Sequence, residues 1–245
     1  MLFVNEIFGP TVQGEGAASG RHCLFLRVAD CNLQCTWCDT AYTWAFNEHS
    51  ASKLEVPIVH DKTVNRIPME PAEVLGRLSL CWAWDTDPTM IVISGGEPMM
   101  QQDQLRAVML PLWETRNKIH IETAATIKPH AEFDSLVDQY NVSPKLLHSG
   151  NRLSLRHKPE VLEFFARSEK AWFKFVMRQQ SDFEEIDNMV KYFDINPHRV
   201  MVMPEGITPE DNIRIAKTLI DGAIERGYGL SFRTHILLWA DVRGK

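Results

Sequence analysis

The chain has 245 residues, 44% apolar and 24% charged, a balance typical of a folded globular protein rather than a disordered or fibrous one. Its formal net charge is −6 and it has no long basic run, which argues against nucleic acid as a partner and favours a small molecule. No apolar run approaches the roughly 20 residues that cross a bilayer, and no export signal opens the sequence. We therefore expect a cytoplasmic protein with no membrane contact.

The first strong predicted strand, at 22–28, leads into a group of cysteines. Three of the five cysteines form the pattern C-x3-C-x2-C at Cys31, Cys35 and Cys38. An odd cysteine count without an export signal disfavours a disulfide framework. Thiolates this close together on a loop can bind zinc, copper(I) or an iron–sulfur cluster. No fourth Cys or His lies at zinc-finger spacing, and three thiolates on a 4Fe-4S cluster leave one iron open for a small chelating ligand.

The other two cysteines are predicted to pack in the core. Cys23 lies inside the first strand, and Cys81 falls on the apolar stripe of a predicted helix at 70–83, together with Trp82. Residues 47–69, which precede this helix, mix charge, proline and serine without a clear period. We interpret them as an insertion.

From residue 90 onward, predicted strands and helices alternate. Strands are expected at 90–93, 118–121, 140–142, 172–176, 199–203 and 230–232. A helix is expected at 102–113, with Pro111 complicating its second half. Another begins at a capping box formed by Ser181 and Glu184.

The last predicted helix has clear signals at both ends. Thr208 is its N-cap and Gly227 stops it. Its apolar stripe is expected to contain Ile213, Ala216, Ile220 and Ile224.

Strands that alternate with helices indicate a parallel sheet. We predict one α/β domain over residues 1–245, built as an incomplete TIM-like barrel of mostly parallel strands. In such folds the loops after the strands share one mouth, where ligands bind. The loops that should meet there are the cysteine loop and residues 94–98, 122–126, 143–145, 203–206 and 233–235.

Two glycine-containing runs stand out from these elements. Gly95 and Gly96, within Ser94-Gly95-Gly96-Glu97-Pro98, predict a close approach of the backbone to a ligand, because glycine lacks a Cβ. The run at 6–16 does not match a dinucleotide-binding fingerprint and is interpreted as a loop.

The cysteine pattern, with Trp37 before the last cysteine, and the sequence Gly-Gly-Glu-Pro resemble the radical S-adenosylmethionine superfamily. The resemblance implies a radical SAM core with a 4Fe-4S cluster on Cys31, Cys35 and Cys38 and with S-adenosylmethionine on the open iron. An electron from the cluster would then release a 5′-deoxyadenosyl radical. The cofactor would supply the radical, so no catalytic side chain is predicted.

Further motifs narrow this resemblance to one family. With the run at 6–16, Arg27, residues 38–40 and the sequence His235-Ile-Leu-Leu-Trp239, nearly the whole chain resembles the 7-carboxy-7-deazaguanine synthase family. The resemblance implies a carbon–nitrogen lyase that converts 6-carboxy-5,6,7,8-tetrahydropterin to 7-carboxy-7-deazaguanine with loss of ammonia. This magnesium-dependent reaction is an early step of queuosine-type 7-deazapurine biosynthesis. The resemblance also implies a homodimer and an electron donor such as a flavodoxin or ferredoxin.

The same resemblance assigns roles to individual residues. Arg27 suits the substrate carboxylate, because a guanidinium binds a carboxylate with two parallel hydrogen bonds. The predicted magnesium ligand is Thr40. The predicted substrate-binding residues are Val12, Gln13, Gly14, Glu15, Arg27 and Ser94. The predicted S-adenosylmethionine-binding residues are Trp37, Cys38, Asp39, Gly95, Gly96, Glu97, Glu122, Ser143, Pro144 and Lys145.

One position departs from the family pattern. Where the family has Glu-Thr-x-Gly-Thr, this chain reads Glu-Thr-Ala-Ala-Thr over residues 122–126, so Ala125 replaces a glycine. If the backbone there has a positive φ, the alanine Cβ would clash and obstruct close approach of the cofactor.

Two other functions use the same cysteine loop. A glycyl-radical-enzyme activase would need a broad peptide-docking surface in place of a closed pterin pocket. A non-catalytic iron–sulfur or zinc protein would use the cysteines only for electron transfer or to brace the loop.

Overall fold

The structure, a computed structural model, describes residues 1–81 and 89–245. Within them one nine-stranded sheet is packed against helices. The strands are β1 Leu2–Val12, β2 His22–Val28, β3 Ile67–Met69, β4 Met90–Gly95, β5 Lys118–Thr123, β6 Gln139–Val142, β7 Ala171–Met177, β8 Val200–Pro204 and β9 Gly229–Leu230. The helices are α1 Glu48–Ala51, α2 Lys62–Asn65, α3 Pro71–Leu80, α4 Gln102–Glu114, α5 Ala131–Asp134, α6 Leu153–Arg156, α7 Pro159–Arg167, α8 Asp182–Phe193, α9 Pro209–Arg226 and α10 Thr234–Trp239.

The sheet has the order β3-β1-β2-β4-β5-β6-β7-β8-β9. All pairs from β2 to β9 are parallel, whereas β1 pairs antiparallel with both β2 and β3. The sheet is not closed on itself, and this confirms the predicted partial barrel of mostly parallel strands. Of the helices in the described part of the chain, none is long and apolar enough to cross a membrane.

Strand β4 is apolar without alternation, because both faces of a parallel sheet are covered. Ile91, Val92 and Ile93 on β4 are all fully buried, and so are Ile119 and Ile121 on β5. The predicted strands beyond residue 90 are all present, with ends displaced by one or two residues. Since every one of these strands runs in the same direction, the loops after their carboxyl ends meet at one edge of the sheet.

Two strands at the start of the sheet were not predicted. The run at 6–16 is a loop only from residue 13, because its first part belongs to the long strand β1. The predicted insertion at 47–69 ends in β3, which pairs with β1 from Ile67 to Met69. Both strands belong to the antiparallel part of the sheet. Neither carries the long uninterrupted apolar run that is typical of a strand covered on both faces.

The predictions for α8 and α4 need correction. Ser181 has helical dihedral angles and makes no capping hydrogen bond with its side chain, so the predicted capping box is wrong; Asp182 Oδ2 accepts from the backbone N–H of Arg178 instead, at 2.8 Å. Pro111 does not interrupt α4, because it lies on the exposed side, where water can reach the carbonyl that its ring leaves unbonded.

The capping of α9 is confirmed, but of its predicted core face only Ala216 is buried. Thr208 Oγ1 accepts from Asp211 N at 3.2 Å, and Gly227 ends the helix with a φ of +71°. Ile224, however, is 67% exposed. The buried face is rotated from the predicted stripe and consists of Asn212, Ile215, Ala216, Leu219 and Ala223.

The helix predicted at 70–83 is α3, which ends at Leu80. Residues 82 and 83, including Trp82 of the predicted stripe, lie outside the described residues. Cys81 packs against the main core and Cys23 is buried, as predicted for both. Helix α7 was not predicted, although Val161, Leu162 and Phe165 form a good apolar face.

Candidate active site

One cleft collects the loops at the carboxyl edge of the parallel strands. It is lined by the cysteine loop after β2, by the glycine pair at the end of β4, and by residues that follow β5, β6 and β8. The loop after β1 and residues 241–245 complete the wall. The structure therefore brings together the loops that the sequence predicted to meet, and adds a final segment that it did not.

The three cysteines of the predicted cluster site line this cleft. Each sulfur accepts a hydrogen bond from a different N–H group of the surrounding chain. Leu33 N donates to Cys31 Sγ at 3.4 Å, Asn151 Nδ2 donates to Cys35 Sγ at 3.2 Å, and Trp44 Nε1 donates to Cys38 Sγ at 3.3 Å. Such hydrogen bonds stabilise thiolate charge, and they help to set the potential of a cluster. The donor set fits three iron-ligating thiolates.

The surroundings of the three thiols are apolar. Cys31 and Cys38 contact a small core made by Ala41, Trp44, Ala45 and Leu54. Burial raises the pKa of all three thiols, that of Cys35 to about 11, so metal binding has to drive their deprotonation. In residues 1–81 and 89–245, no three His, Cys, Asp or Glu side chains lie close enough to hold a single metal ion.

Gly95 and Gly96 line the cleft, but glycine is required at both positions because neighbouring backbone atoms of the protein leave no room for a Cβ. Gly95 has a φ of +137°, and a Cβ there would lie 2.1 Å from the carbonyl oxygen of Val28. A Cβ on Gly96 would lie 2.0 Å from the carbonyl oxygen of Asp30. The glycines thus let β4 pack against the start of the cysteine loop. The close approach predicted for a ligand is made here by the backbone next to Cys31.

Glu97 and Pro144, two of the predicted cofactor residues, do not line the cleft wall. Glu97 is fully buried and accepts hydrogen bonds from Met99 N, Thr123 Oγ1 and Ala124 N. Burial raises its pKa, and the three donors only partly offset that effect. Because Ala124 lines the cleft, its hydrogen bond to the buried Glu97 helps to hold this part of the cleft wall in place.

Ala125 adopts the conformation that would favour glycine. Its φ is +58°, yet its side chain is fully buried in the main core and is absent from the cleft wall. The methyl group therefore lies in the core and not on the cleft wall. The backbone is instead held by a hydrogen bond from Ala125 N to Thr123 Oγ1 at 3.2 Å.

The remaining predicted cofactor residues all line the cleft. Among them are Trp37, Asp39, Ser143 and Lys145. Lys145 Nζ donates to Ser143 Oγ at 2.9 Å and lies 5.8 Å from the centre of the Trp37 ring. A cation, a hydroxyl and an aromatic face next to the cysteine loop are suited to a polar ligand with a ring.

Thr40 lies beside the cysteine loop, where it was predicted to bind magnesium. Its hydroxyl is 3.6 Å from Cys38 Sγ, and it lines the cleft. The hydroxyl is therefore within reach of a ligand in the cleft, although it supplies only one oxygen. Magnesium commonly takes most of its ligands from water and substrate oxygens.

The predicted substrate loop, residues 12–15, contacts a buried group of charges. Lys174 Nζ lies between Glu15 Oε2 at 2.5 Å and Glu122 Oε2 at 3.0 Å, and Gln13 Nε2 donates to Glu122 Oε1 at 2.9 Å. Arg233 pairs with Glu15 at 3.0 Å and also with Asp39. These contacts connect the substrate loop to the cysteine loop.

The neighbouring charges determine the protonation states of Lys174 and Glu15. Burial alone would lower the pKa of Lys174, but Glu122 and Glu15 outweigh it and raise that pKa. Burial likewise favours protonation of Glu15, yet Lys174 and Arg233 hold the pKa of Glu15 well below its ordinary value. The base of the cleft therefore carries fixed charges near neutral pH.

Arg27, the residue predicted to bind the substrate carboxylate, also lines the cleft. Its Nε donates to Glu6 Oε1 at 2.7 Å, and its guanidinium lies 5.8 Å from the centre of the Phe8 ring and 5.9 Å from that of Tyr42. Glu6 thus occupies one side of the guanidinium. Ser94, from β4, lines the same cleft.

Several residues of the site were not identified from the sequence. Lys174 has a visible signal, because a lysine interrupts the apolar run of β7. Asn151, Tyr42 and Arg243 have none, since each acquires its role only through contacts with distant parts of the chain. Arg233 lay within a loop predicted to reach the site, but no pattern indicated its carboxylate partners.

The cysteine loop and its cleft match a known class of protein. Residues 12–143 match the family model of the 4Fe-4S single cluster domain, more than half of the chain. With the cysteine pattern and the partial barrel, this match defines a radical S-adenosylmethionine enzyme that carries one 4Fe-4S cluster.

Relatives of similar length identify the family. The chain is 32% identical over 242 residues to the 7-carboxy-7-deazaguanine synthase of Pyrobaculum aerophilum, covering 99% of this chain and 96% of the relative. It is 29% identical to the synthase of Bacillus subtilis, covering 98% and 97%. The crystal structure of QueE from Escherichia coli has the same fold, with a TM-score of 0.67 at 23% identity over 96% of this chain and 94% of that one. The chain belongs to the 7-carboxy-7-deazaguanine synthase family, which confirms the resemblance.

Proposed function

We propose that this protein is a radical lyase that converts 6-carboxy-5,6,7,8-tetrahydropterin to 7-carboxy-7-deazaguanine with loss of ammonia, within 7-deazapurine biosynthesis of the queuosine type. The observation that carries the proposal is the convergence of two sites in one cleft of a family member. The cysteine loop, Arg27 and the loop at 12–15 all line this cleft. A cleft of this kind suits a small molecule, whereas an activase would need a broad peptide-docking surface.

The residues around the cysteine loop fit a cluster and S-adenosylmethionine. Cys31, Cys35 and Cys38 would hold the cluster, and the hydrogen bonds to their sulfurs support that assignment. Gly95 and Gly96, with Trp37, Asp39, Ser143 and Lys145, would hold S-adenosylmethionine. When bound, these groups supply the radical that removes a hydrogen atom from the substrate.

The chain itself contributes binding, orientation and fixed charge. Arg27 would bind the substrate carboxylate, and Val12, Gln13, Gly14 and Glu15 would contact the edge of the pterin. Lys174 keeps its proton on Nζ, and Glu15 stays ionised. The protein therefore acts mainly by holding the reacting carbon of the substrate in place and by excluding water.

Other features of the proposal rest on family membership. We propose magnesium at Thr40, a flavodoxin or ferredoxin as electron donor, a homodimer and a cytoplasmic location. Five free cysteines support a reducing compartment. We also propose that residues 1–245 form one domain, with 47–69 as an insertion. The single sheet that includes strands from Leu2 to Leu230 supports this organisation.

The test is anaerobic reconstitution with iron and sulfide, followed by incubation with S-adenosylmethionine, magnesium, reductant and 6-carboxy-5,6,7,8-tetrahydropterin. We expect a product with the mass and absorbance of 7-carboxy-7-deazaguanine. Cys35→Ala should abolish the product and reduce iron content. Cys81→Ala is the matched control and should retain both, because Cys81 packs outside the cleft.

Each alternative predicts a different result. A cluster whose spectrum does not respond to S-adenosylmethionine would identify a non-catalytic iron–sulfur protein. Cleavage of S-adenosylmethionine without any deazapurine would reject the pterin as substrate and return the activase to consideration.

A further inference from the structure

Glu6 joins two arginines that line the cleft. Its Oε1 accepts from Arg27 Nε and its Oε2 accepts from Arg243 Nε, both at 2.7 Å. The Glu6 and Arg27 side chains are 15% and 14% exposed, so water screens their ion pair only in part, whereas the Arg243 side chain is 42% exposed. The two guanidinium groups therefore share one carboxylate at a site where one of them is positioned to bind substrate.

The other donors of Arg243 are taken up by the protein. Its Nη1 donates to Asn65 Oδ1 at 3.0 Å and its Nη2 donates to Asn5 Oδ1 at 2.8 Å. Both asparagines are buried, and Asn5 Nδ2 also donates to Asn65 O at 2.8 Å. The Arg243 guanidinium lies 4.2 Å from the centre of the Tyr42 ring, within cation–π range. Arg243 is thus anchored on three sides by residues outside its own segment.

Arg243 also places its segment against the cleft. The helix α10 ends at Trp239, and Ala240, with a φ of +52°, turns the chain away from the helix axis. Residues 241–245 then line the cleft next to Arg27 and Tyr42. The contacts of Arg243 with Glu6, Asn5 and Asn65 hold this segment in place.

Arg243 also changes the net charge around Arg27. Glu6 alone would neutralise Arg27, because one carboxylate and one guanidinium sum to zero. With Arg243 added, the three groups carry a net charge of +1. Glu6 also orients the Arg27 guanidinium by its bond to Nε, and this leaves the terminal nitrogens of Arg27 for a carboxylate ligand.

We propose that Arg243 is a positioning residue for recognition of the substrate carboxylate. It holds Glu6 so that Arg27 is oriented, it offsets the charge of Glu6 that would otherwise neutralise Arg27, and it holds residues 241–245 against the cleft. This inference rests on the proposed function, since it assumes a carboxylated pterin at Arg27. It adds a residue outside the predicted substrate set.

The test compares binding of two probes, 6-carboxypterin and pterin without the carboxylate, to the reconstituted protein under anaerobic conditions. Arg243→Ala should weaken 6-carboxypterin about 10-fold, the scale of one lost charge-assisted interaction, and weaken pterin less than about 2-fold. Arg243→Lys, which keeps the charge, should recover most of the loss. Arg167→Ala is the matched control, an exposed arginine paired with a glutamate on α7, and should change neither.

Turnover and a double mutant separate positioning from general damage. Arg243→Ala should raise KM for the carboxylated substrate with kcat within about 3-fold of the native value, and leave iron content unchanged. In an Arg27→Ala background, adding Arg243→Ala should cost less than about 2-fold in 6-carboxypterin binding, because Arg243 acts through Arg27.

Three results would overturn the inference: equal weakening of both probes, no weakening of either, or additive losses in the double mutant. If the native protein failed to bind 6-carboxypterin, the inference would also fall. If it bound 6-carboxypterin as described but formed no deazapurine, the proposed function would fail while the role of Arg243 would stand.

Discussion

At the scale of single residues, the cysteine sulfurs show how a reactive group depends on its neighbours. The three sulfurs accept N–H groups from a backbone amide, an asparagine and a tryptophan. Only the asparagine comes from another part of the chain, residue 151 in the loop before α6. Such hydrogen bonds favour the reduced, more negative state of a cluster.

Asn151→Ala tests this influence directly. Removal of a hydrogen bond of about 1 kcal/mol that is stronger in the reduced state should lower the midpoint potential of the bound cluster by up to about 40 mV. The measurement is a redox titration followed by electron paramagnetic resonance. Asn188→Ala, on the opposite side of α8 from the buried residues, is the control. An unchanged potential with full iron content would contradict the prediction.

The group formed by Glu15, Lys174 and Glu122 contributes to stability in a pH-dependent way. The pKa of Glu15 is lowered in the folded protein, so its ionised form stabilises the fold at any pH above the ordinary value of 4.5. As the pH falls through the lowered folded pKa, Glu15 becomes protonated and that contribution is lost.

Glu15→Gln should therefore reduce the free energy of unfolding by about 3 kcal/mol near pH 7, because it leaves Lys174 and Arg233 short of a buried partner. The difference from the native protein should narrow as the pH falls below about 4.5. Urea unfolding at pH 7, 5 and 4 measures it. Glu163→Gln, which breaks an exposed pair, should cost less than about 0.5 kcal/mol. A difference that did not vary with pH would contradict the linkage.

At the scale of elements, the loop after β5 shows a backbone conformation imposed by its surroundings. Ala125 keeps a φ of +58° although this costs an alanine roughly 1–2 kcal/mol. Its buried methyl group and the hydrogen bonds of Glu97 to Thr123 and Ala124 offset that cost. The loop is held by its contacts and does not depend on glycine.

Two substitutions at Ala125 separate strain from packing. Ala125→Gly relieves the strain but loses a buried methyl group worth about 0.8 kcal/mol and adds entropy to the unfolded chain, so stability should change by less than about 1 kcal/mol. Ala125→Val should destabilise by more than about 2 kcal/mol, because a branched side chain at positive φ is strained and overpacks the core. Thermal unfolding of both variants measures this. Equal effects would show that φ is not the limiting factor.

At the scale of the whole molecule, contacts between the first and last parts of the sheet complete the cleft. Gly16 N donates to Ser231 Oγ at 2.8 Å, and Thr234 N donates to Gly14 O at 2.9 Å. Arg233 adds its ion pair with Glu15. These contacts join the loop after β1 to the segment after β9, where the sheet itself is not closed.

Gly14→Ala should disrupt this junction. Its Cβ would lie 2.0 Å from His235 Nδ1 and 3.0 Å from the His235 backbone nitrogen, so the His235 side chain has to move and the two backbone segments have to shift apart slightly. We expect destabilisation above about 2 kcal/mol and weaker substrate binding. Gly76→Ala is the matched control: a Cβ there meets nothing within 4 Å, and the substitution in α3 should stabilise by about 0.5–1 kcal/mol. Native stability in the Gly14 variant would refute the contact.

The sequence predicted the parallel part of this fold well because its signals are local. Apolar runs marked the parallel strands from β2 to β8, and Thr208 and Gly227 marked the ends of α9. The antiparallel strand β1 was missed because its apolar residues are interrupted by Asn5, Glu6 and a Gly-Pro pair. The core face of α9 was misjudged because several faces of that helix carry isoleucine.

By itself, the sequence determined the cysteine loop, the strand–helix alternation and the loops that meet at the cleft, since each depends on residues close together in the chain. Only the tertiary structure decided the environment of those groups. Asn151 reaches Cys35, Lys174 lies between Glu15 and Glu122, and Arg243 reaches Glu6. The partners in these contacts are separated by many residues, so no local pattern records them. They depend on how the folded sheet brings distant strands to one edge.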